Sequence, residues 1–128
     1  MKKTVYVILI IAAISLAMAL LGNRANQDTV LAKKMDSLLE KGEKQVDLTE
    51  VTDFEWTQVG VFGPYTSDEV IEETIGIKFK GDNGGIDILD DRFLLVFADE
   101  KYAVKTIVLS KKHGAYSIQD NKILSVEQ

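Results

Sequence analysis

Arg92-Phe93-Leu94-Leu95-Val96-Phe97-Ala98-Asp99-Glu100-Lys101-Tyr102-Ala103-Val104-Lys105-Thr106-Ile107-Val108-Leu109-Ser110 is the stretch that decides the fold. Two runs rich in aromatic and β-branched residues, Arg92 to Ala98 and Tyr102 to Ser110, flank the polar tripeptide Asp99-Glu100-Lys101, the pattern of a tight antiparallel hairpin. Phe93 to Phe97 is apolar at every position, so both faces of this strand need cover. It belongs in the centre of a sheet, with a helix over one face.

Downstream of the hairpin, Ala115 to Ile118 and Lys122 to Val126 form a second strand pair across Gln119-Asp120-Asn121. Upstream, Ile77 to Lys80 reads as a short strand, Gly81 to Gly85 as a loop, and Ile86 to Leu89 as a lead into an Asp90-Asp91 turn. Further back lies Phe54-Glu55-Trp56-Thr57-Gln58-Val59-Gly60-Val61-Phe62-Gly63-Pro64-Tyr65-Thr66-Ser67. Trp56 to Phe62 is a strand by composition, and Gly63-Pro64 ends it. Thr66 is placed as an N-cap with Glu69 completing a capping box, Tyr65 and Val70 are spaced for a hydrophobic staple, and Gly76 closes a helix carrying Val70, Ile71 and Ile75. Between Thr29 and Lys41, Val30, Leu31, Met35, Leu38 and Leu39 recur at near helical spacing before Gly42, which predicts an amphipathic helix. The fold class is therefore α+β: one antiparallel sheet of about four to six strands, with the helices at 29–41 and 67–75 on one face.

The amino terminus carries an address. Lys2 and Lys3 precede an apolar run from Thr4 to Leu21, followed by Gly22, Asn23 and Arg24. A membrane-spanning helix needs about 20 apolar residues, so the run lies at the border between a signal-peptide core and an anchor. Ala17-Met18-Ala19 offers an A-x-A cleavage pattern, yet Leu20 and Leu21 continue the apolar run beyond it. The lysines keep the amino terminus inside and send the remainder of the chain outward. The expected organisation is an anchor or signal peptide at 1–22, a tether at 23–28 and a single extracytoplasmic domain at 29–128.

Taking Lys2 and Lys3 from 15 basic residues leaves 13 against 20 acidic ones, a formal charge of −7 outside the first segment. Such a balance argues against nucleic acid and against anionic headgroups as partners of the domain, because both select clustered Lys and Arg. With no cysteine in the chain there is no disulfide, no thiol chemistry and no cysteine zinc site. Stability must come from the apolar core.

At the Phe-x-Trp, Val-x-Val-Phe-x-Pro-Tyr-Thr and Leu-Leu-Val-Phe positions, over about residues 46 to 128, the chain resembles a group of small, uncharacterised exported or lipoprotein-like bacterial proteins, chiefly Gram-positive. The resemblance implies an exported α+β domain and brings no catalytic residues. Where a lipobox would place its cysteine, this chain has Asn23, so lipid attachment does not carry over.

Two groups of residues are candidates for function. Trp56, Phe62, Pro64 and Tyr65 gather aromatic surface at the strand-to-helix turn, the material of protein-binding hot spots, although core packing uses the same residues. Asp82, Asp87, Asp90 and Asp91 make the densest carboxylate cluster, in a loop that also holds Asn83, Gly84 and Gly85 and so invites a calcium reading. Counted from Asp82, the twelfth position of an EF-hand loop would be Phe93 instead of glutamate, which leaves turn chemistry as the simpler account. His113, the only histidine, stands in a Lys-Lys-His-Gly turn with no nucleophile motif around it, which reads as an exposed turn residue. No cofactor is called for. The functional expectation is a non-enzymatic binding or accessory protein acting on another protein at the cell envelope, with an immunity or inhibitor protein as a specific version. A small carboxylate- or metal-dependent hydrolase built on the 82–91 loop is the alternative.

Overall fold

The computed structural model describes residues 24–127, and the apolar run from Thr4 to Leu21 lies outside them. The hairpin forms as the sequence predicts, with β4 (Arg92–Ala98) antiparallel to β5 (Ala103–Ser110). Asp99 closes its turn by accepting the Lys101 and Tyr102 backbone N–H groups, both at 2.7 Å. On the far side of β4 runs β3 (Gln58–Phe62), antiparallel, and on the far side of β5 runs β1 (Asn26–Gln27), parallel. This makes a four-stranded mixed sheet in the order β1-β5-β4-β3. A second sheet, antiparallel and three-stranded, pairs β2 (Gln45–Asp47) with β7 (Ile123–Glu127) and β7 with β6 (Ala115–Gln119).

Two expectations are corrected here. The strands divide between two sheets, and the helices lie on opposite faces of the larger one. Alternation along β4 is the cause, because successive side chains point to opposite sides of a strand. Leu95 and Phe97 face one way and pack with Ile107 and Leu109 of β5, with Leu31, Met35 and Leu39 of α1 (Thr29–Glu40), and with Tyr116, Leu124 and Val126 of the second sheet. Leu94, Val96 and Ala98 face the other way and pack with Ile71 of α3 (Asp68–Ile75) and with Ile77, Phe79 and Ile86. A one-turn helix α2 (Leu48–Val51) follows β2 directly, with Asp47 as its N-cap.

The expected tether at 23–28 is also shortened. Ala25 is buried, Asn26 and Gln27 pair with Lys105 and Thr106, and Asp28 caps α1 by accepting the Leu31 N–H at 3.0 Å. That hydrogen bond, against the opposing effect of burial and with help from Lys105 at 3.2 Å, holds the Asp28 carboxyl below its ordinary pKa. Ala25 lies against Gly81, at φ +128°, where a side chain would collide with the Ala25 backbone.

The segment between α3 and β4 is irregular. The expected strand Ile77 to Lys80 is reduced to a single bridge from Lys78 to Tyr102, and Ile86 to Leu89 is a turn in which the Ile88 and Leu89 N–H groups donate to the Gly85 carbonyl. Side chains replace the missing ladder. Glu72 accepts the Phe79 N–H at 3.1 Å, and Thr106, fully buried in β5, donates its hydroxyl to the Asp82 carbonyl at 3.1 Å. The α3 N-cap is Ser67, whose hydroxyl accepts the Val70 N–H, while Thr66 instead donates to the Gly63 carbonyl.

Candidate functional site

The aromatic residues expected to form one patch are separated by the sheet. Trp56 packs on the α1 side, edge-on to Phe97 at 5.2 Å between ring centres, and its indole N–H donates to Thr52 Oγ1 at 3.0 Å. Phe62, at the end of β3, is buried on the α3 side. Pro64 is half-buried and only Tyr65 stands in solvent, 66% exposed. Its backbone explains why: the Tyr65 N–H donates to the Ile86 carbonyl at 2.7 Å with φ at +65°, which aims the side chain outward, and with the N-cap at Ser67 the staple positions are no longer Tyr65 and Val70.

A different apolar surface is assembled instead. Of the five large hydrophobic residues exposed among the described residues, Tyr65, Val70, Ile88 and Leu89 belong to the segment between β3 and β4, and Val30 alone lies elsewhere. The Tyr65–Ile86 hydrogen bond and a 2.8 Å bond from Asn83 Nδ2 to Asp68 Oδ1 tie the two halves of this surface together. Glu69, Asp87 and Asp90, all exposed, border it.

The four loop aspartates do not converge. Asp82 accepts the Gly84 N–H at 2.8 Å, Asp91 pairs with Arg92 at 2.8 Å, and Asp87 and Asp90 are solvated. Gly84 and Gly85 adopt φ +65° and +78°, so the cluster is turn chemistry. Among the described residues these four carboxylates are not gathered into a common ligand group.

Among the described residues the group that does converge is Asp36, Glu40 and His113, with one ligand atom from each all within 4.8 Å of one another. Asp36 and Glu40 stand one turn apart on α1, which places them on one face. His113 comes from the 3-10 turn Lys111–His113 that follows β5, and its Nε2 lies 2.8 Å from Asp36 Oδ1. The imidazole is not the exposed group the sequence suggests, since its side chain is only 11% exposed. Lys112 Nζ sits 2.7 Å from Glu40, which raises the ammonium above its usual pKa. Nearby, Tyr116 donates its hydroxyl to the Ser110 carbonyl at 2.7 Å, and burial, reinforced by Asp36, pushes its phenol up to about 12.

Asp36 also lines an open cleft of about 420 Å³ together with Lys33, Ser37, Asp91, Arg92 and Ser110. A larger groove of about 880 Å³ runs past Trp56, but Asn121 and Asp99 on its wall are already engaged, Asn121 with the Val59 N–H and the Thr57 carbonyl and Asp99 within its hairpin. The sequence contains both carboxylates of the Asp36 cluster on a predicted helix. What it does not contain is their pairing with a histidine 77 positions away.

No protein-family model, no curated protein and no solved structure matches the chain.

Proposed function

We propose that this protein is a binding or accessory module of a bacterial cell envelope, held at the outer face of the membrane by residues 4–21, and that its domain recognises another protein through the surface around Tyr65 and Ile88. The observation that carries this reading is Tyr65 itself. A bulky residue in the left-handed region is strained by roughly 1–2 kcal/mol, and here the strain serves to display an aromatic side chain in water, while Ile88, two residues beyond the Ile86 carbonyl that Tyr65 bonds, is 73% exposed. Strain of this kind collects at functional sites.

Strand direction supports the same reading. β1 leaves the N-terminal segment and β5 runs parallel to it, so Ser110 and, across the ladder, Arg92 lie at the end away from that segment. β3 runs antiparallel to β4 and delivers Phe62, and so the Tyr65 turn, to that same far end. With Ala25 already buried in the domain, only Gly22, Asn23 and Arg24 separate the sheet from the apolar run. An anchored domain would sit close to the bilayer and present Tyr65 outward. The acidic border fits a partner with an apolar anchor point and a basic rim. An immunity or inhibitor protein is one such module. A hydrolase built on the 82–91 loop is the less favoured reading, because its four aspartates are not gathered into one ligand group.

A photo-crosslinking amino acid placed singly at Tyr65, Ile88 and Val30 in intact cells tests the reading. Positions 65 and 88 should give the same discrete adduct and position 30 none. An adduct pattern shared by all three, or loss of folding in Tyr65→Ala, would overturn it.

A further inference from the structure

Asp36 and Glu40 are placed where two carboxylates are unfavourable on their own. They are like charges at i and i+4, they lie in the half of α1 whose free carbonyls are negative, and the last turn of that helix holds no basic residue. The cations that reach them come from the turn after β5. Lys112 Nζ is 2.7 Å from Glu40 and 4.0 Å from Asp36, so one ammonium serves two carboxylates. His113 Nε2 completes the arrangement, 2.8 Å from Asp36 Oδ1 and 4.0 Å from Glu40 Oε1. Tetrahedral zinc, with bonds of about 2.1 Å to nitrogen and oxygen, holds its donors about 3.4 Å apart. Shifts of well under an ångström bring the two histidine contacts to that spacing, and the three ligand atoms all lie within 4.8 Å of one another.

We propose that Asp36, Glu40 and His113 form a divalent transition-metal site, suited to zinc, for which the Lys112 ammonium is the competing occupant. Imidazole beside two carboxylates selects zinc over calcium or magnesium, which prefer all-oxygen sets. Lys112 is more than half exposed, so its flexible side chain leaves without disturbing the core. A metal held by Asp36 borders the cleft lined by Lys33 and Arg92, where a water or a small anion completes its coordination. The site is separate from the Tyr65 surface and stands or falls independently of it.

Zinc chloride titrated into the full-length protein in a non-chelating buffer, followed by calorimetry and thermal unfolding, tests the proposal. One zinc per chain and a rise in Tm are expected. His113→Gln and Glu40→Gln should each weaken binding by about tenfold or more. Lys112→Met should tighten it, because the competing charge is gone. Glu40 is exposed, so its substitution leaves the fold intact and keeps the test valid should His113→Gln disturb the turn. The absence of saturable 1:1 binding at millimolar zinc would overturn the proposal. So would binding that survives both Glu40→Gln and His113→Gln, or binding that weakens in Lys112→Met.

Discussion

The two faces of the four-stranded sheet are built by different means. On one, Phe97 is clasped edge-on by Phe54 at 5.1 Å and Trp56 at 5.2 Å, with a three-turn helix and a second sheet closing over them. On the other, an eight-residue helix and the irregular run from Ile77 to Leu89 provide the cover, and side-chain hydrogen bonds replace the ladder. The regular face leaves little apolar surface outside, whereas the irregular one displays Tyr65, Val70, Ile88 and Leu89. Regular elements bury what their periodicity aligns, and turns are free to aim a side chain outward. The first face serves stability, and the second carries the surface we propose for recognition.

Emptying each face in turn should give the largest effects. Phe97→Ala should cost about 3–5 kcal/mol of unfolding free energy in a denaturant titration, since the ring is fully buried and its rigid aromatic neighbours cannot collapse into the space. Ile86→Ala on the irregular face should fall near the lower end of the usual range, about 2 kcal/mol. Equal losses would show that the two faces share one degree of rigidity. Next in size is Gly81→Ala, which forces a side chain against the Ala25 backbone at a positive φ. A loss of about 1–3 kcal/mol, with faster hydrogen exchange at Asp28, whose N–H bonds to the Thr106 carbonyl, is expected. A stable variant with unchanged exchange would remove β1 from the sheet's account.

Alkali acts on the regular face through Tyr116, which is buried there. Its folded pKa of about 12 lies above the ordinary value of 10, so the native state favours the protonated phenol. The stability this gives is present below pH 10 and is lost as pH rises from 10 toward 12. Thermal melts across that range should show the loss in the parent chain and a flatter profile in Tyr116→Phe. The smallest stability effect is expected at the proposed recognition surface. Tyr65→Asn, which tolerates the left-handed backbone, should change stability by no more than about 1 kcal/mol while removing the crosslink at position 88. A large destabilisation would return Tyr65 to the core.

The same contrast separates what the sequence discloses from what it does not. The helix over 29–40, the central hairpin, β3 and the last hairpin are each written in local periodicity and turn residues, and each forms within a residue or two of its expected bounds. Asn26 and Gln27 carry no such pattern; two residues become a strand only because Lys105 and Thr106 lie beside them. Phe79 and Ile86 look like strand residues because they are apolar, yet they are buried by turns. The aromatic patch does not form, for a geometric reason: Trp56 and Phe62 are close along the chain but on opposite sides of a sheet whose two-sided burial only β4 announces.

The pairings of β1 with β5 and of β2 with β7 join the beginning of the domain to its later strands, Asn26 to Lys105 and Val46 to Leu124. Closing loops of that length is slow, and it must wait for the distant strand to be delivered. The larger sheet needs the chain as far as Ser110 and the smaller needs it as far as Glu127, so neither sheet is complete until its last strand has been delivered. Such a fold postpones its own assembly until its final strand arrives.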